Sequence, residues 1–69
     1  MAITIQHTYS TSVRICYYSK EGTTFFQNDS GTLDDITERT IDMIVKYNFI
    51  YVDVCDAETG EVLMIIERT

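Results

Sequence analysis

Apolar residues recur along this chain with two different periods. In SVRICYYS (12–19), Val13, Ile15 and Tyr17 alternate with Arg14, Cys16 and Tyr18, the two-residue period of a strand. FIYVDVCD (49–56) repeats it, with Ile50, Val52 and Val54 set against Phe49, Tyr51, Asp53 and Cys55. EVLMIIER (61–68) departs from it, because Val62 to Ile66 are apolar without a break. Val62, Met64 and Ile66 then point one way, while Leu63 and Ile65 point the other with Glu61 and Glu67. Near the start, Ile3, Ile5, His7 and Tyr9 alternate with Thr4, Gln6 and Thr8, which predicts a strand over 3–9. The STS segment after it either turns the chain onto the next strand or lies within one long bent strand.

Polar segments ending in glycine separate these runs. SKEGT (19–23) and DAETGE (56–61) suit short hairpin loops in which Gly22 and Gly60 take a left-handed conformation without a side-chain penalty. They predict a hairpin of strands 12–19 and 23–27 and a second of strands 49–56 and 61–68. Between the hairpins the period changes to that of a helix over 33–47. Leu33, Ile36, Thr40, Met43, Ile44 and Tyr47 fall within an arc of roughly 100°, a stripe suited to packing against a core. Thr32 followed by Asp35 gives a capping-box-like start, Asp34 and Asp35 favour the positive end of the helix dipole, and Asn48 suits the stop.

The order is ββ(β)-α-ββ. It predicts a single α+β domain over 1–69: a small antiparallel sheet of four to five strands with one amphipathic helix packed on one face. One helix leaves the other sheet face uncovered, and that face should be polar if it meets water. By alternation it carries Tyr18, Phe49, Tyr51, Cys55, Leu63 and Ile65, too apolar a set for a small monomer to leave wet. Tyr18, Phe49, Tyr51, Leu63 and Ile65 are therefore expected to form an interface, in a homodimer or against a different protein. A chain of 69 residues buries only about 60% of its unfolded surface, and oligomerisation is one of the usual supplements.

Composition narrows the function. Hydrophobic content of 45% with 23% charged residues argues against disorder. No basic leader or long apolar run occurs in MAITIQHTYS, so a cytoplasmic location with Cys16 and Cys55 reduced is expected. The net charge of −6 disfavours direct contact with nucleic acid or an anionic membrane. His7 is the only histidine and lies among threonines, Ser10, Ser12 and Ser19 have no nucleophile-elbow context, and the three glycines are too scattered to cradle a phosphate. NDSGTLDD lacks the alternating ligands and distal Glu of a calcium loop. No catalytic, metal or cofactor-binding residue is expected, and no enzymatic activity.

One constellation remains. Asp34, Glu38 and Asp42 recur every four residues, a row of carboxylates about 6 Å apart on the solvent side of the helix. The row reads either as a solvated face or as a docking surface for the basic side chains of a partner that itself binds nucleic acid. In size, acidity and lack of catalytic motifs the chain is similar to many small virus- or mobile-element-encoded proteins that bind and block a host protein. The expectation is a non-enzymatic binding module, a homodimer engaging a basic protein. The alternatives are an assembly subunit docking through its apolar sheet face and a protein that sequesters a small molecule or nucleotide.

Overall fold

A computed structural model of the chain describes residues 2–5 and 12–68. Its elements are β1 (Ala2–Ile5), β2 (Ser12–Ser19), β3 (Thr24–Ser30), α1 (Leu33–Tyr47), β4 (Phe49–Asp56) and β5 (Val62–Glu67). The strands form one antiparallel sheet in the order β1-β5-β4-β2-β3, with the helix on one face. This is the α+β arrangement that the periodicity implies. β3 runs to Ser30, three residues beyond its expected end; of the strand expected over 3–9, residues 3–5 lie in β1 (Ala2–Ile5), and 6–9 lie outside the described residues. His7, Tyr9 and Ser10 lie outside the described residues.

Both turns form as the glycines require. Ser19 N–H donates to the Thr23 carbonyl at 2.9 Å and Gly22 N–H to that of Ser19 at 3.1 Å. Gly22 and Gly60 adopt φ values of 88° and 77°, which a side chain would strain. In the second turn the Asp56 carboxylate accepts from the Glu58 and Thr59 amides at 2.8 and 3.0 Å, which fixes the loop locally.

The helix is held at both ends. Thr32 is extended and its hydroxyl accepts from Asp35 N–H at 3.2 Å, while Asn48 is left-handed and its N–H reaches the Ile44 carbonyl. Leu33, Ile36, Thr40 and Ile44 are buried against Val13, Ile15 and Tyr17 of β2, Val52 and Val54 of β4, and Met64 and Ile66 of β5. Each fully buried aliphatic side chain contributes roughly 1.5–3 kcal/mol. Thr40 is the one buried polar residue among those described, and its hydroxyl donates to the Ile36 carbonyl at 2.7 Å. Tyr17 is fully buried and donates to Gln27 Oε1 at 2.8 Å; burial raises its phenol pKa.

Two irregularities correct the expected division of faces. The β2–β4 register jumps from Tyr18 opposite Tyr51 to Ser19 opposite Phe49, leaving Ile50 as an extra residue. Beyond that shift Phe49 turns into the core, where its ring lies 4.9 Å from that of Tyr17, and Ile50 is left exposed. Similarly, the β4–β5 register passes from Val54 opposite Met64 to Cys55 opposite Val62, so that Leu63 is extra. Leu63 joins the core and Val62 takes its expected place on the open face. Phe49 and Leu63 are therefore core residues. Tyr47, expected in the helix stripe, is 53% exposed at the end of the helix.

Candidate functional site

Residues opposite one another in an antiparallel pair share a face, so the registers define the side of the sheet that the helix does not cover. Across its middle run Phe26, Cys16, Asp53 and Ile65, each opposite the next. Beside them run Tyr18, Tyr51 and Glu67. Tyr18, Tyr51 and Ile65 thus lie together on the open face, as expected; Asp53 at its centre was not singled out from the sequence.

Asp53 organises this face. Tyr18 Oη donates to its Oδ2 at 3.2 Å, and the Cys55 thiol to its Oδ1 at 3.5 Å. The rings of Tyr18 and Tyr51 meet edge to face with centroids 5.5 Å apart, a favourable aromatic geometry. The carboxylate pushes the Tyr18 phenol pKa up, chiefly by charge. Both thiol pKa values are raised, first by burial and then by Asp53. Cysteines so placed stay protonated and make poor nucleophiles or metal ligands. Cys16 and Cys55 are both free thiols. They occupy diagonal positions on β2 and β4, where separations of about 7–8 Å are usual, longer than a disulfide spans. Among the described residues no group of three or more His, Cys, Asp or Glu is arranged to hold a metal ion.

The acidic row lies on the opposite side of the molecule. Asp34, Glu38 and Asp42 are all exposed on α1, with Val45 also exposed in the same sector. Arg39, which sequence spacing sets beside the row, is turned to the sheet. Its Nε and Nη2 donate to the two carboxylate oxygens of Asp29 at 2.9 and 3.0 Å, and Nη2 also reaches the Ser30 carbonyl at 2.9 Å. This fork lowers the pKa of Asp29 and clips β3 to the helix. The remaining basic residue of the helix, Lys46, sits 5.3 Å from the ring centroid of Tyr47.

Farther along the same flank, the helix and β3 part to leave a groove of about 360 Å³ lined by Thr23, Thr24, Phe25, Met43, Tyr47 and Phe49. The Phe25 and Phe49 rings stack across it at 6.4 Å. Nothing in the linear pattern announces the groove, because its walls come from both hairpins and the helix. No protein-family model matches the chain, and neither does any curated protein or solved structure. No helix among the described residues is long and apolar enough to cross a membrane.

Proposed function

We propose that the chain is a non-enzymatic, cytoplasmic protein-binding module whose partner is a basic protein, held on the open face of the sheet. The supporting observation is the Asp53 carboxylate at the centre of that face, set among Tyr18, Tyr51, Cys16 and Ile65. An Arg or Lys side chain entering there meets a carboxylate and two aromatic rings, a combination that favours a cation as it loses water. Apolar area around the charge supplies the rest of the contact. The net charge of −6 and the row Asp34, Glu38 and Asp42 steer a basic partner toward the molecule. A small acidic protein of this kind acts by occupancy, blocking a basic surface that would otherwise meet nucleic acid or another anion. This is the mode of small inhibitors carried by phages and mobile elements.

The test is capture from a cell extract on immobilised protein, comparing wild type with Asp53→Asn, Ile65→Asp and the triple variant Asp34→Asn/Glu38→Gln/Asp42→Asn. Basic proteins should be retained by wild type and released between ~50 and ~500 mM salt. Asp53→Asn and Ile65→Asp should lose them, while the triple variant keeps them with weaker retention at low salt. Equal retention by all four proteins, or a retained set with no basic excess, would rule the reading out.

A further inference from the structure

The two edges of the sheet differ. Among the described residues β1 spans four, Ala2–Ile5. β3 is a seven-residue edge strand, and its register with β2 runs from Ser12 opposite Ser30 to Tyr18 opposite Thr24 without a shift. It contains no proline, no lysine and no bulge, the usual devices that blunt an edge. Hydrogen-bonded and non-hydrogen-bonded positions alternate along an antiparallel pair, and the Ser19–Thr23 bond sets the phase. The N–H and C=O groups of Thr24, Phe26 and Asn28 therefore point away from β2. No hydrogen bond to them occurs among the described residues.

The geometry points to a second copy of this chain as the occupant of that edge. We infer that two β3 strands pair antiparallel about a twofold axis at Phe26, joining the two sheets into one of ten strands. In this register Phe26 exchanges both backbone hydrogen bonds with its counterpart, and Thr24 pairs with Asn28 of the second copy. Phe26, 63% exposed in the single chain, gains an aromatic neighbour across the axis.

Charge selects where two copies can make this contact. Each copy carries −6, so two copies can meet closely only where carboxylates are sparse. Residues 22–28 are exposed and contain no charged side chain, and Asp29 at their border is already paired with Arg39. Stacking two open faces about a central axis would instead bring two Asp53 carboxylates together. Edge pairing leaves both open faces uncovered, so this inference stands or falls independently of the basic partner.

Sedimentation of the full chain at ~100 μM is the test. The expected result is a dimer of about 16 kDa, twice the 8.0 kDa of the chain, with the Thr24, Phe26 and Asn28 amides slow to exchange and released on dilution. Phe26→Lys, which sets two ammonium groups at the axis, and Phe26→Pro, which removes an outward N–H that β2 does not use, should both give monomers. Their far-ultraviolet dichroism should match wild type; should Phe26→Pro fail to fold, Phe26→Lys carries the test. Ile65→Asp, on the open face, should remain dimeric. A wild-type monomer at ~100 μM, which would leave the edge to a foreign strand, overturns the inference. So does a dimer indifferent to the Phe26 variants, or one broken by Ile65→Asp instead.

Discussion

The two faces of the sheet are built from the same strands and differ in what their side chains carry at the tip. The covered face holds Val13, Ile15, Val52, Val54, Met64 and Ile66, aliphatic or thioether groups with nothing to solvate. The open face also carries Phe26, Val62 and Ile65, but among them stand Tyr18, Tyr51, Cys16, Cys55 and Asp53, each with a polar group at its end. Each bulge exchanges one hydrocarbon for a larger one in the core: Phe49 goes in where Ile50 is left exposed, and Leu63 goes in where Val62 turns to the open face. The result is a core larger than strict alternation provides, and an outer face that tolerates water yet keeps exposed apolar area.

The largest test of that division is Leu63→Asp. Because Leu63 is 3% exposed in the core, a carboxylate there should cost about 3 kcal/mol or more. For a domain this small that means an unfolded chain by circular dichroism at 25 °C. A folded Leu63→Asp protein would put Leu63 back on the open face. Next comes a pair of neighbours, Ile66→Ala and Ile65→Ala, measured by urea denaturation. The first should cost about 3 kcal/mol and the second about 1 kcal/mol or less, since only Ile66 is fully buried. Similar costs would erase the distinction between the faces.

Thr32→Ala probes the layer that covers the inner face. Loss of the cap to Asp35 should cost about 1 kcal/mol, and a change near zero would mean that the helix starts without it. The smallest effect belongs to the clip between β3 and the helix. Asp29 has its pKa lowered by Arg39, so its contribution is present above about pH 4, the unfolded carboxylate range, and fades as pH falls through its lower folded value. Asp29→Asn should therefore lower stability slightly at pH 7 and flatten that part of the acid limb. Superimposable stability curves for the two proteins would mean that the pair is energetically silent.

The elements themselves were legible because period, caps and turn glycines agree: the helix bounds, Thr32, Asn48, Gly22 and Gly60 all stand where local chemistry puts them. Tyr18, Tyr51 and Ile65 were legible too, since alternation holds through the middle of each strand. Phe49 and Leu63 were not. A bulge adds one residue without changing composition, so a run such as VLMII reads equally well with either residue inward. The Arg39–Asp29 fork and the aromatic groove join segments far apart in sequence, and strand order, which linear pattern does not encode, brings them together.

Strand order also governs how the chain reaches this state. β2 and β4 are hydrogen-bonded neighbours at the centre of the sheet, yet β3 and the whole helix lie between them in sequence. Each hairpin closes through a loop of a few residues, on a timescale of about 1–10 μs for a hairpin alone. The β2–β4 ladder must instead enclose some thirty residues, which adds loop-closure entropy before any of its contacts form. Joining the hairpins across that ladder, and closing β1 onto β5 across a still longer segment, should therefore limit the folding rate. Substitutions in Ile15, Val52 or Val54 should register mainly in the folding rate, and those in the outer strand β3 mainly in the rate of unfolding.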